Sequence, residues 1–542
     1  MKRFLTGGLV LLMIPGMNAA QAVSFTSSNL PIVLINTNGQ YIPDDPKIEA
    51  DMGVIYNGPG IRNNVSDPEN NYSGKIGIET RGHSSQMFPM KSYGLELHDN
   101  DGNSIDASIL GMPEESDWIL YAPYTDKTLM RNLLTYTLSA QLGHWASRCR
   151  MVEVVLNGDY TGVYVMEEKI KRGKDRVDIA KLKASDISGE NLSGGYIFSL
   201  DKDPNAWVSK YPAPHQTVTG NPRFSYVYPK PEDIVPEQAA YIQSYTDSFE
   251  RALNSTQFMD ATAGYRNFID QNSLIDYFYI NELSRNVDGY RLSAYFNKNK
   301  NGKISAGPVW DYDLAFRNAD YCNGSDVAGW AYLFNDICPM DGAGLVPFWW
   351  MRFMQDSSFV SNLRCRWKQL RQNVFSEDHI DQMIDSISAL VSEAEKRHFA
   401  RWPVLGQYVW PNPNPIPATY GEEITTLKSW ISQRLQWIDQ NIPNQGACSD
   451  WDSAATGTIV VRIDPNPFTS DPIASILSKS RQTVFLQVID AVGRIVHKGE
   501  WEIQYGTNSV LIPSRTWARG AYFFRFSTSS GDKVVKKMMK AD

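Results

Sequence analysis

Two aspartates, Asp311 and Asp313, stand two residues apart in Gly307-Pro308-Val309-Trp310-Asp311-Tyr312-Asp313-Leu314-Ala315-Phe316. If that run is extended, both carboxylates lie on one face. Paired carboxylates in an apolar run repel unless a proton or a cation sits between them. Hard oxygen donors of this kind suit Mg²⁺ or Ca²⁺. A single D-x-D more often caps backbone N–H groups in a loop, but the flanking Trp310, Tyr312 and Phe316 favour a metal. Some twenty residues upstream, Asp288 lies in Asn286-Val287-Asp288-Gly289-Tyr290, between an apolar helix and the strand Ala294-Tyr295-Phe296. Earlier still, Lys91 opens the alternating run Lys91-Ser92-Tyr93-Gly94-Leu95-Glu96-Leu97 and shares its parity with Tyr93, Leu95 and Leu97. A lysine on an apolar face must meet an anion or reach out at the strand end. Small hydroxyls and backbone N–H groups in the preceding Gly82-His83-Ser84-Ser85 could hold phosphate oxygens beside it.

The elements that must carry these residues follow from periodicity. Lys75–Arg81 and Lys91–Leu97 alternate as strands. Asp126 can cap a helix from Lys127 to Leu142, with Leu134, Leu138 and Leu142 on one stripe and Gly143 as terminator. Met151–Leu156 and Val163–Met166 flank Asn157-Gly158, a strong hairpin signal. Glu167-Glu168-Lys169 follows as a connector. No Walker loop and no G-x-G-x-x-G accompanies this order.

The chain has 542 residues, a formal charge of −8 and 12% aromatic side chains. Such aromatic content excludes disorder over most of the chain, and the acidic balance excludes a general nucleic-acid binder. Lys2 and Arg3 precede an apolar run ending near Met17, with Ala20-Gln21-Ala22 as a small-residue cleavage site, so residues 1–22 read as a signal peptide. No later stretch reaches spanning length. Residues to about 230 read as a mixed lobe, and those from about 236 to 440 as a helical lobe. Residues 446–456 read as a polar linker and 457–542 as a small all-β sandwich. With export comes an oxidising environment. Cys322 and Cys338, sixteen apart in a loop-like stretch, are expected to pair, while Cys149, Cys365 and Cys448 cannot all pair among themselves.

Taken jointly and in order, several stretches resemble the CotH kinase family, an atypical protein-kinase fold. They are Arg81-Gly82-His83-Ser84-Ser85, Lys91-Ser92-Tyr93, Asp126–Asn132, Asn157–Tyr164, Asn286–Tyr290 and Val309–Asp313. The resemblance covers about Pro31 to Pro443 and implies an α+β, bilobal kinase-like domain over residues 23–445. It further implies an ATP site using Mg²⁺, or Mn²⁺ in its place. Lys91 would sit on the phosphates, with Arg81, Ser84 and Ser85 covering them and Glu167 and Glu168 beside the adenine. Asp288 would be the catalytic carboxylate, and Asp311, Asp313 and Ser293 would serve the metal. Three departures stand out. His83 replaces a common Asn, Ser293 stands where an Asn commonly binds a second metal, and helix 127–142 offers no Glu for Lys91.

The tail resembles the C-terminal sorting domain of type IX secretion, through Ile463–Phe468, Ile489–Arg494, Arg519–Phe523 and the lysine-bearing end. The two resemblances imply an exported Ser/Thr kinase acting on a secreted or surface protein and served by that secretion machinery. The alternative is a catalytically degenerate module binding a protein or glycan through Trp349, Trp350, Trp402 and Trp410.

Overall fold

The alternating strands of the first third of the chain curl into a closed barrel. The computed structural model describes residues 20–203, 206–214, 220–338, 344–443, 459–478, 482–491, 493–503, 506–528 and 533–541. Most of the expected signal peptide, all of linker 446–456 and Cys448 lie outside the described residues. The barrel strands are β1 (Ile32–Asn36), β2 (Ile48–Ile55), β3 (Tyr72–Arg81), β4 (Ser92–His98), β5 (Asp117–Tyr121), β6 (Cys149–Leu156) and β7 (Asp159–Glu168). Their spatial order is β1-β2-β3-β4-β5-β7-β6. Closure comes from a parallel pairing of β1 with β6, Ile32 opposite Glu153, which leaves no free sheet edge. The β6–β7 turn uses Asn157 and Gly158 at φ 52° and 80°, as a two-residue hairpin requires.

Helix α1 (Arg131–Gln141) links β5 to β6 and begins four residues later than its sequence predicts. Leu129 holds a left-handed φ of 62°, which a helix cannot contain. The Asp126 carboxylate caps the intervening turn, accepting from the Thr128 N–H, the Thr128 hydroxyl and the Arg131 N–H.

A second sheet has the order β9-β10-β8-β11-β12, built from β8 (Tyr196–Leu200), β9 (Trp207–Val208), β10 (Arg223–Tyr228), β11 (Ala294–Lys298) and β12 (Ile304–Ala306). Because β8 pairs with β11, the division expected near residue 230 runs through one sheet's connectivity. The main helices are α2 (Pro236–Asn254), α3 (Gln271–Ser284), α4 (Ser357–Arg371), α5 (Glu377–Val391), α6 (Ala394–Arg401) and α7 (Tyr420–Asn441); α3 packs on β12, α4 and α7 pack on α3, and α5 packs on α7. From Ser273 to its end α3 is buried on every face, so its sequence shows little amphipathic stripe. Helix α6 lies against β7, where His398 Nδ1 accepts from the Val163 N–H and the Trp402 indole donates to the Thr161 carbonyl. Trp349, Trp350 and Trp402 are core residues and offer no surface platform; Trp410 is 41% exposed.

The tail forms two sheets with their own apolar core, one of three strands (Val460–Asp464, Ile473–Ser478, Gly506–Leu511) and one of four (Ile495–Ile503, Gln482–Asp490, Gly520–Thr528, Lys533–Lys540). Mixed helix and sheet followed by an all-β tail is the α+β class expected. No helix among the described residues is long and apolar enough to cross a membrane.

Candidate active site

Strand ends β3, β5 and β7, the turn after α3 and the 310–314 loop surround a cavity of about 650 Å³. It gathers Arg81, Ser84, Ser85, Glu167, Asp288, Ser293, Asp311 and Asp313, which are scattered over more than 230 positions. Lys91 and Glu168 do not line it.

Arg81 ends β3, and its guanidinium lies 5.8 Å from the Trp310 ring centre. The next residue, Gly82, turns the chain at φ 101°, and a Cβ there would stand 2.0 Å from Ser85 Oγ. Only glycine fits that corner. Lys91 precedes β4 instead of lying within it, and its ammonium donates to the Gln86 carbonyl at 2.5 Å. Gln86 in turn donates to the Gly82 carbonyl at 2.8 Å. Lys91 thus fastens the 82–86 loop from outside, and of these two cations it is Arg81 that lines the cavity.

Glu167 belongs to β7, opposite Ile119 and Cys149, and does not begin a connector. Successive strand residues face opposite ways, so Glu168 turns away from the cavity to a buried position where Arg148 and Arg176 pair with it.

The D-x-D segment is irregular, not extended. Asp311 holds a left-handed φ of 63°, and α1 clamps the loop through backbone contacts. The Asp311 N–H donates to the Tyr136 hydroxyl (3.1 Å), and the Tyr312 N–H to Asn132 Oδ1 (2.7 Å). Arg131 Nε donates to the Ala315 carbonyl at 3.0 Å. Where the sequence lacked a helix glutamate, the helix instead holds the aspartate loop itself. Asn286 completes the frame, donating to the Asp311 carbonyl at 3.0 Å and accepting from the Asp288 N–H at 3.2 Å. The turn bearing Asp288 and the loop bearing Asp311 are therefore one hydrogen-bonded unit.

The electrostatics are those of carboxylates crowded out of water. Burial, with Asp288 adding, pushes Asp311 up to about 6. Burial and Asp311 raise Asp313 well above the carboxylate range. Burial also raises Asp288, against the opposing charge of Arg291. Burial pushes Glu167 up to about 8, opposed by Arg81 and reinforced by Asp311 and Asp313. A divalent cation would relieve this repulsion. Among the described residues, no three His, Cys, Asp or Glu side chains form a ready-made metal group. The donor set nevertheless fits Mg²⁺, which takes one or two carboxylates and completes its shell with phosphate and water oxygens. The Tyr121 hydroxyl, buried in the same wall, has no partner among the described residues and fits a ligand acceptor.

Tyr121, Asp201 and Lys202 line the cavity without any motif to announce them. Tyr321 and Trp410, stacked with ring centres 6.0 Å apart, also line it. Tyr321 adjoins the Cys322–Cys338 disulfide, which pairs as the sequence predicts. Cys149 is a free, buried thiol.

The family description "CotH kinase protein" matches residues 78–438, and "Secretion system C-terminal sorting domain" matches residues 462–541. No curated protein matches the chain. The sorting domain indicates export to the cell surface or the extracellular space. That first match spans more than half of the chain and every residue lining the cavity, so the chain belongs to the CotH kinase protein family.

Proposed function

We propose that the chain is an exported, Mg²⁺-dependent kinase, bilobal in the manner of protein kinases, that moves the γ-phosphoryl group of ATP to a Ser or Thr hydroxyl of a secreted or surface protein. The observation that supports this most is the convergence of Asp288, Asp311 and Asp313 on one cavity with Arg81. Phosphoryl transfer asks for positioning and charge neutralisation, with little covalent work by the protein. Arg81 would pair with phosphate oxygens, and the 82–85 loop would cover them with its N–H groups. Asp311 and Asp313 would hold a divalent cation, which supplies charge neutralisation at the phosphates when bound. Asp288, in a separate turn, would orient the acceptor hydroxyl and accept its proton. Glu167, protonated at neutral pH, would donate a hydrogen bond within the cavity without adding negative charge. Ser293 lines the same wall and offers a neutral oxygen.

The roles separate by variant. Asp288→Asn should lower transfer by about 10²–10⁴-fold while leaving ATP affinity nearly intact. Asp311→Asn should weaken Mg²⁺-dependent ATP binding and transfer together. Calorimetry with ATP and Mg²⁺, run beside labelled-phosphate transfer, reads both. A wild-type chain that binds no nucleotide would overturn the kinase reading in favour of a degenerate surface module.

A further inference from the structure

Arg291 is buried, with a side-chain exposure of 0%, yet it carries the charge nearest the proposed catalytic carboxylate. Its Nε stands 3.7 Å from Asp288 Oδ1. No other carboxylate among the described residues lies within ion-pair distance of it. The rest of the guanidinium is held by one loop. One terminal nitrogen donates to the Cys338 carbonyl at 3.1 Å. The other lies 3.5 Å from Cys322 Sγ and 3.8 Å from Cys338 Sγ. The Phe334 ring, from the same loop, has its centre 5.9 Å away. Nε has no hydrogen-bond partner among the described residues, so nothing else fixes the head on the Asp288 side.

The disulfide closes this loop, with Cα atoms 4.8 Å apart and sixteen residues between them in sequence. A crosslink of that span removes much of the freedom the loop would otherwise have. Three elements therefore meet at Arg291: the turn 288–292, whose Arg291 and Leu292 N–H groups donate to the Asp288 carbonyl, the Cys322 side and the Cys338 side. Tyr321, one residue before Cys322, is a cavity wall, so the same crosslink also holds that wall.

We infer that Arg291 and the Cys322–Cys338 disulfide form one positioning unit for Asp288, completed only when the two thiols are oxidised. The catalytic consequence rests on the kinase reading; the mechanical coupling does not. Oxidation joins the two sulfurs and releases two protons and two electrons. The electrons pass to a disulfide-bearing oxidant, which is reduced to a dithiol. Such oxidants belong to the compartments an exported chain enters, and not to the cytosol. Before export the guanidinium lacks its loop anchor; after export it is held on Asp288.

The test uses the full-length chain as wild type, Arg291→Met, Arg291→Lys, Cys322→Ser/Cys338→Ser and the triple variant Arg291→Met/Cys322→Ser/Cys338→Ser. Hydrogen exchange is measured first at residues 286–293. In both Arg291→Met and the double-serine variant, the Arg291 and Leu292 amides should exchange at least ~10-fold faster, while those of α3 stay protected. Reducing the folded wild type with a phosphine should give the same change, reversed on reoxidation, which covers the case of a double-serine variant that misfolds. In the transfer assay each lesion should lower kcat by about 10–100-fold with KM for ATP within twofold, and the triple variant should be no worse than either. Arg291→Lys should recover a substantial part of the rate. Unchanged exchange on reduction, or losses that multiply in the triple variant, would overturn the inference. Exchange as expected in a chain that transfers no phosphoryl group would support the coupling and overturn the kinase reading instead.

Discussion

Replacing Glu167 with glutamine isolates the charge crowding of the cavity from its shape. Glu167 is 2% exposed and holds its proton up to about pH 8. In the unfolded chain a glutamate loses its proton near ~4.3. Between those values the folded protein binds a proton that the unfolded chain has released, so stability falls as pH rises through the window. At about 1.4 kcal/mol per pH unit, the loss accumulated from pH 5 to pH 8 is on the order of 3 kcal/mol. Glu167→Gln keeps the side chain's volume and its capacity to donate, and removes the titration. The variant should match the wild type within about 1 kcal/mol at pH 5 and exceed it by roughly 3 kcal/mol at pH 8. Urea unfolding followed by tryptophan fluorescence, in steps from pH 5 to pH 8 with EDTA to keep the carboxylates free of cations, measures the difference. A gap that stays constant across that range would show that Glu167 does not keep its proton on folding, because a shape or packing effect does not titrate. A variant less stable than the wild type at pH 8 would show that Glu167 is folded as a paired anion.

Arg81→Ala should raise the Kd for Mg²⁺-ATP by about 10–100-fold, the effect of losing one charge-assisted contact. Lys91→Ala, which loosens only the Gln86 anchor, should raise it by a few-fold at most, and calorimetry that ranks them the other way would restore the phosphate role to Lys91. Gly82→Ala forces a side chain into φ 101° and against Ser85, so it should cost about 1–2 kcal/mol of stability by denaturant titration. An unchanged midpoint would show that the loop relaxes freely. Deleting residues 457–542 should leave the region through residue 443 folded by thermal melting, because the tail has its own core, while fractionation finds the product in the periplasm. Normal surface delivery of the truncated chain would remove the sorting role from the tail.

Local chemistry made part of this protein legible from its residues alone. The Asn157-Gly158 hairpin and the Cys322–Cys338 pair each depend on a few neighbouring positions, and the sequence carries those directly; Asp288, Asp311 and Asp313 stand out there as acidic residues, although the D-x-D run is irregular and not the extended segment that shared parity suggests. Neighbouring residues mislead wherever a distant partner decides the outcome. Lys91 has the strand parity of a core-facing lysine, but the 82–86 loop folds back and supplies a carbonyl that captures it. Glu167 and Glu168 read alike in sequence; pairing with β5 and β6 sends one into the cavity and the other to Arg148 and Arg176. Helix α1 starts late because Asp126 is satisfied by Thr128 and Arg131, a choice no propensity encodes. Asp201, Lys202 and Tyr121 carry no motif, and only the joining of the barrel to the second sheet brings them to Asp288 and Asp311. Sequence determines which side chains can ionise, turn or crosslink, because those are properties of a residue and its neighbours. Which of them share a water-poor cavity, and so alter one another's charge, is decided by tertiary closure across hundreds of positions.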